Sequence, residues 1–352
     1  MALSNKQKEK IAIEVIKTLV KRFESFPEDA SNNRNAPFYE AFLKAFTEKL
    51  NDKVSEIPFF ISLSSWLQGL NTTLGQSFFE NVAHHLCNGE KREYTSKKLG
   101  NLQITQTQKD TVTRVITDLS NTVAIPDLTN ENILIFQNYN NAPLVNAIDF
   151  SADVFFEDSN TVTAIELKSV KPNSGEMRGE KHKILEGKAA LFRHFPGKQI
   201  NFFIGFPFDP TVNPETESAT SNNKKRFLDS IINMTKYFAP NETLVANELW
   251  DMLSGQSNTM DSVLNIINSI STTEFKDKFM YLSDNTNRLK PEYRIQLERW
   301  NLFSEIELIN NDSIIVGKIG TDRYLTRTYN KSTFDNEGNY NTDRYNILRV
   351  LI

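Results

Sequence analysis

The chain of 352 residues holds one cysteine, Cys87. A disulfide within the chain is therefore excluded, and a cysteine-based zinc centre lacks its thiolates. Both absences suit a reducing compartment, so a cytoplasmic location is expected. No stretch approaches the roughly 18 consecutive apolar residues of a membrane span. The lysines between Met1 and Lys10 have no signal-peptide core behind them. No membrane partner is expected. The net charge is −4, without the basic excess of many nucleic-acid binders. Four histidines (His84, His85, His182, His194) form no metal-ligand spacing, since His84 and His85 point about 100° apart on a helix. A Gly-x-Ser-x-Gly elbow and a Gly-x4-Gly-Lys-Ser/Thr loop are both missing, which argues against the usual serine hydrolases and ATP-driven machines. There is no internal repeat and no low-complexity tract.

What remains is a chain long enough for several domains or one elaborated domain, with 25 phenylalanines to enrich its core. Apolar spacing predicts helices from Asn5, over Phe38 to Leu50, and over Thr73 to Cys87. The last would be capped by Asn71 or Thr72 and closed at Asn88-Gly89. From about Ile125 strands are expected: a short one over Asn132 to Gln137, then Ala147 to Glu157 and Thr161 to Val170 around the turn Asp158-Ser159-Asn160. A helix follows over Met177 to Phe195, then a buried strand over Ile200 to Phe206. Past the polar loop Pro210 to Asn223, helices are expected at Lys225 to Phe238, Leu244 to Leu253, Met260 to Ile270 and Pro291 to Leu302. Ser313 to Val316 and Ile347 to Leu351 read as strand pieces. The expected division is 1–120, largely helical; 121–240, strands around one long helix; and 241–352, helices with strand pieces.

The hairpin carries the chemistry. Period-two alternation puts Asp149, Ser151, Asp153 and Phe155 on one face, and Val162, Ala164, Glu166 and Lys168 on one face of its partner. A turn centred on Ser159-Asn160 sets Asp153 opposite Glu166; a slip of one residue would separate them. Facing carboxylates repel each other and raise each other's pKa. A hard cation such as Mg²⁺ reverses that logic, and a neighbouring lysine can orient or deprotonate water or stabilise a phosphate. Behind the motif, Glu166 to Gln199 carries eight basic side chains against four acidic ones.

These residues resemble the PD-(D/E)XK nuclease superfamily, whose core order is αβββαβ. Its aspartate would be Asp153 and its (D/E)-x-K element Glu166-Leu167-Lys168, with Ala152 in place of the usual leading proline. Glu80, in Gln76-Ser77-Phe78-Phe79-Glu80-Asn81, is similar to the acid many members carry on the first core helix. More narrowly, Gly75 to Glu80, Ala164 to Ser169 with Lys171, and Gly187 to Leu191 resemble the TdeIII-type group of type II restriction endonucleases.

The resemblance implies an α/β, restriction-endonuclease-like fold, a mixed sheet flanked by helices with 121–240 as its PD-(D/E)XK catalytic core. Apolar spacing adds a helical N-terminal region (1–120, with the first core helix) and an α+β C-terminal elaboration (241–352), a candidate for DNA recognition or dimerisation. It implies Mg²⁺-dependent, sequence-specific hydrolysis of double-stranded DNA, with Mn²⁺ able to substitute. Asp153, Glu166 and the Leu167 carbonyl would hold metal, and Lys168 and Glu80 would complete the catalytic set. Asp149, Lys171, Lys181, Lys183 and Lys188 are candidates for phosphate or DNA contact, and Glu186 for a supporting acid. Base-reading candidates are the Pro210 to Arg226 loop and Arg323, Arg327 and Arg344. A homodimer, or a heterodimer with a second nuclease subunit, is expected, together with a cognate DNA methyltransferase. The rival functions are a structure-specific or repair nuclease of the same superfamily and a catalytically silent DNA-binding subunit.

Overall fold

Ser4 opens the first helix, α1 (Asn5–Glu24), with a capping box: its hydroxyl accepts from the Gln7 amide, and the Gln7 side chain accepts from the Ser4 amide. The computed structural model describes residues 2–27, 43, 57–137, 142–168, 176–213 and 215–352. The expected helix Phe38 to Leu50 lies outside them, apart from residue 43. α2 (Ile57–Thr73) passes through a π-helical turn, Leu74–Phe78, into α3 (Phe79–Cys87). Helix therefore begins well before Thr73, and Asn71 and Thr72 sit inside α2 instead of capping anything. The expected end holds, with Asn88 in the left-handed region at φ 52°.

Next come β1 (Glu90–Tyr94), β2 (Gln103–Thr105), α4 (Gln106–Ser120), α5 (Leu128–Ile135), β3 (Leu144–Asn146), β4 (Phe150–Glu157) and β5 (Thr161–Leu167). They are followed by α6 (Glu176–His194), β6 (Gln199–Phe206), α7 (Lys224–Asp229), α8 (Met234–Tyr237), β7 (Thr243–Val245) and α9 (Asn247–Ser254). The run Asn132 to Gln137, expected as a strand, falls mostly in α5. Asp127 starts that helix by accepting from the Asn130 amide at 3.0 Å. The expected helix Lys225 to Phe238 divides into α7 and α8, with Asn233 between them at φ 63°. Leu244 to Leu253 becomes β7 and α9.

β1, β4, β5, β6 and β7 form one mixed sheet in that order. β1, β4 and β5 are antiparallel neighbours, while β6 and β7 run parallel to β5. The αβββαβ order is present as α3, β1, β4, β5, α6, β6, with β1 as first strand and the segment from β2 to β3 inserted after it. α6 crosses from β5 to β6 and packs so closely that a Cβ on Gly187 would lie 2.9 Å from the Phe202 ring and 3.2 Å from that of Phe150. Gly205 on β6 plays the same part for α9, where a Cβ would meet Ile165 at 2.9 Å and Leu249 at 3.0 Å.

These elements belong to one of two compact units, Met1–Leu3 with Phe79–Ser262. The other joins Ser4–Phe78 to Val263–Ile352. It comprises α1, α2 and a succession of helices: α10 (Thr259–Ile270, of which Val263 onward counts here), α11 (Phe275–Ser283), α12 (Pro291–Arg299), α13 (Phe303–Asn310), α14 (Asp312–Ile319), α15 (Arg323–Tyr329) and α16 (Thr342–Arg349). Ser313 to Val316 and Ile347 to Leu351, expected as strand pieces, belong to α14 and the end of α16. Among the described residues, the one strand-like pairing in this unit is the isolated bridge Phe334↔Tyr340. Glu9 ties the two chain segments together by accepting from the amide and hydroxyl of Ser304, each at 2.7 Å. Arg344 is fully buried in a bidentate pair with Glu305, at 2.7 and 3.1 Å. That burial removes it from the base-reading candidates; Arg323 and Arg327 are exposed. No helix among the described residues is long and apolar enough to cross a membrane.

Candidate active site

The β4/β5 ladder runs from Glu157↔Val162 to Val154↔Ile165, the register that a turn at Ser159-Asn160 demands. Asp153 and Glu166 come next, one step beyond the last pair. On its other side β4 is irregular. Glu90 pairs with Phe155 and Arg92 with Ala152, so Asp153 and Val154 together face the single residue Lys91. Such a β-bulge bends a strand and re-aims its side chains. It also overturns the strict alternation expected along β4. Arg92 lies over the Phe155 ring at 3.9 Å, and Tyr94 stacks on Phe150 at 4.9 Å, so Phe150 and Phe155 lie against side chains two apart on β1.

The bulge frees Asp153 from the ladder. One carboxylate oxygen, Oδ2, accepts from the Leu167 amide at 2.9 Å, and its backbone carbonyl meets His84 Nε2 at 2.7 Å. The other oxygen, Oδ1, lies 3.0 Å from Lys91 Nζ. Lys91 also donates to Glu80, at 3.1 and 3.2 Å to its two oxygens. Glu80 thus enters the site from the first turn of α3.

Glu166 anchors the second half. Its Oε1 accepts from Lys168 at 3.1 Å and from Lys183 at 3.0 Å. Both lysines also reach Glu180, at 3.0 and 2.9 Å. Two ammoniums and two carboxylates therefore alternate in a ring between the end of β5 and α6. The Lys168 amide donates to Gly205 O at 2.8 Å, which fixes the backbone beside β6.

Burial raises the pKa of Glu166, and the charge of Asp153 raises it further. Glu80 is raised by burial and then by Asp153. For Lys168 and Lys183, burial opposes the charged form, but Glu166 and Glu180 outweigh it and hold both above the usual lysine range. Lys91 is likewise raised by Asp153 and Glu80 against burial. Burial lowers His84, favouring the neutral ring.

The structure therefore brings Asp153, Glu166, Lys168, Glu80 and Lys183 together and adds two residues missed in the sequence, Lys91 and Glu180. Glu180 had a signal, since it stands three residues before Lys183 on one helix. Lys91 had none, because it reaches the site through a bulge. Other candidates lie elsewhere. Asp149 is exposed and accepts from the Asn101 side chain. Lys181 is fully buried between Glu131 and Glu242, at 2.7 Å from the latter. Lys188 is 1% exposed, 3.5 Å from Glu242. Neither lysine reaches a surface where DNA could lie. Glu186 is turned toward the Ile148 amide and His182. Lys171 lies outside the described residues.

Among the described residues, no group of three or more His, Cys, Asp or Glu side chains is arranged to hold a metal ion. Lysines occupy much of the carboxylate surface. Two carboxylate oxygens of the cluster are buried without a hydrogen bond: Glu180 Oε2, which still has Lys183 Nζ at 2.9 Å, and Glu166 Oε2. Such an orphan is costly unless something fills it.

A family model described as "Type II restriction endonuclease, HinfI" matches residues 3–271. The chain belongs to this family. It is also 42% identical over 364 aligned positions to the type II restriction enzyme MjaII of Methanocaldococcus jannaschii, covering 98% of this chain and 96% of the relative. The restriction endonuclease expected from the sequence is thereby established, and the family found is the HinfI type; nothing in the match bears on the narrower TdeIII-type likeness. As a site-specific restriction endonuclease the chain acts on DNA, and the mixed sheet with its flanking helices suits that class.

Proposed function

We propose that this restriction endonuclease cuts duplex DNA at a short specific sequence by Mg²⁺-dependent PD-(D/E)XK chemistry at the cluster around Asp153 and Glu166. The observation that carries this reading is the meeting of Glu80, Asp153, Glu166 and Lys168 from α3, β4 and β5 around an unpartnered Glu166 oxygen. In chemical type the donors suit a hard divalent cation, since the Asp153 and Glu166 carboxylates and the Leu167 carbonyl are all oxygen ligands. Asp153, Glu166 and the Leu167 carbonyl would hold Mg²⁺, or Mn²⁺ in its place. When bound, the ion would polarise the scissile phosphate and acidify the attacking water.

The chain's own residues supply the rest. Lys168 is fixed by two carboxylates, so its ammonium presents a directed donor that orients water and stabilises the phosphate's growing negative charge. Glu180 holds Lys168 and Lys183 at fixed distance. The Leu167 amide orients Asp153 through its Oδ2. Of the α6 lysine candidates, Lys183 borders the Glu166 carboxylate, which supports a phosphate-contact role for it. Two strand scissions call for two such sites. A symmetric dimer suits a palindromic target, and a second nuclease subunit suits an asymmetric one. A cognate methyltransferase would protect the host's own copies of the site.

The test is digestion of phage DNA by the purified chain with Mg²⁺ or EDTA, beside a Lys168→Ala variant. Discrete fragments that require metal and disappear in the variant are expected. A smear, or fragments that persist in EDTA, would contradict the proposal.

A further inference from the structure

Lys91 stands between two carboxylates from different elements. Its Nζ is 3.0 Å from Asp153 Oδ1 and 3.1 and 3.2 Å from the two oxygens of Glu80. Asp153 has its other oxygen committed to the Leu167 amide. The Asp153 oxygen without a backbone hydrogen bond, Oδ1, is therefore the one that Lys91 holds. We propose that Lys91 is a built-in competitor for the metal: its ammonium holds Asp153 Oδ1, on a carboxylate proposed above to hold the ion, and must leave that oxygen for the ion to bind there, an inference that rests on the metal reading above.

Charge and placement both support this. Counted as ionised, Glu80, Asp153, Glu166 and Glu180 face Lys91, Lys168 and Lys183, one positive charge short of balance. The unpartnered Glu166 Oε2 lies in the same cluster. Exchanging Lys91 for a divalent cation would balance it, with four carboxylates against two ammoniums and two ionic charges. Exchanging Lys168 or Lys183 would break the ring through Glu180. Lys91 is also the member that can leave. Its side chain is 38% exposed, against 20% and 19% for Lys168 and Lys183. It sits on β1, the edge strand, so its amine can swing into water while its stem stays on the strand.

A lysine that merely fastens α3 to the sheet would have the same contacts, and metal affinity separates the two roles. Mn²⁺ is titrated into the full chain without DNA, with free ion followed by electron paramagnetic resonance. Lys91→Met, Lys91→Arg and Asp153→Asn variants are compared, and melting curves check their folding. Lys91→Met is expected to bind Mn²⁺ roughly three- to tenfold more tightly than wild type, the range two part-exposed ion pairs can supply. Lys91→Arg, which keeps the charge, is expected to bind as weakly as wild type, and Asp153→Asn more weakly than either. Equal or weaker binding by a folded Lys91→Met protein would overturn the competitor role while leaving the metal site standing. Absence of Mn²⁺ binding in both wild type and Lys91→Met would overturn the metal reading and the competitor role together.

Discussion

Lys168 and Glu80 enter the same cluster by different routes, and the difference sets what each substitution should do. Lys168 is held by Glu166 and Glu180 beside the donors proposed for the metal. Glu80 touches Asp153 only through Lys91. Lys168→Ala is expected to slow single-turnover cleavage by roughly 10²- to 10⁴-fold, the usual worth of a group acting on the transferred proton or developing charge. Glu80→Gln should slow it by roughly 10- to 100-fold, as for groups that support metal ligands. Equal losses would place Glu80 among the direct participants. The sequence made Asp153, Glu166 and Lys168 legible because the hairpin's parity follows from one short turn. It did not separate Lys183 from Lys181 and Lys188. Those two stand on the α6 stripe shared with Ile184 and Leu191, which hinted at burial. Their acidic partners were hidden, since Glu131 and Glu242 lie 50 and 61 residues from Lys181 in the chain. Removing one partner from such a buried network leaves uncompensated charge. Lys181→Met is therefore expected to cost about 3–5 kcal/mol in urea unfolding. An unchanged midpoint would mean that solvent reaches these acids.

At the scale of elements, the long periodic helices were readable and the short apolar runs were not. Ser313 to Val316 and the Ile-Leu-Ile-Phe run of α5 are rich in residues that favour strands, yet both are mostly helical. Three or four apolar residues in a row cannot distinguish the two periods. β1 was missed for the opposite reason. Glu90-Lys91-Arg92-Glu93-Tyr94 is mostly charged, as edge strands often are. Its membership of the sheet depends on pairing with β4, some sixty residues on. The crossover β5–α6–β6 was legible because an amphipathic helix and a buried strand follow the hairpin in order. Its tightness was not. Gly187 lies against the Phe150 and Phe202 rings, where a methyl group has no room. Gly187→Ala should force α6 off the sheet and cost about 1–3 kcal/mol. Because Glu180 and Lys183 ride on the same helix, cleavage should fall further than the lost stability explains. A stable Gly187→Ala protein with full activity would show that α6 can shift without disturbing the ring.

At the scale of the whole molecule, the division into two units was beyond the sequence, because one unit joins the chain's two ends. Its link from Glu9 to Ser304 spans 295 residues, and no local pattern announces it. Stability of the folded chain should also carry a pH signature that composition could not foretell. Burial lowers the pKa of Lys188 to about 8, although Glu242 pulls it upward. Unfolded, the same amine titrates near 10.4. Between these values the unfolded chain holds more protons than the folded one, so this group makes stability rise with pH. Below about pH 8 both states are protonated, its contribution is flat, and the stabilisation it brings at high pH is absent. Lys91, Lys168 and Lys183 are shifted upward and act in the opposite direction, but only as pH climbs past the usual lysine range. Cys87, whose thiol burial raises to about 11, makes stability fall with pH inside the window from pH 7.5 to 9.5, since the unfolded thiol loses its proton near 8.5. Comparison with a Lys188→Met variant, which keeps Cys87, isolates Lys188 in that window. Across it, wild type should gain about 2 kcal/mol relative to a Lys188→Met variant in denaturant unfolding. A difference that stays constant would mean that Lys188 keeps its proton in the folded state throughout, with the ion pair to Glu242 outweighing burial.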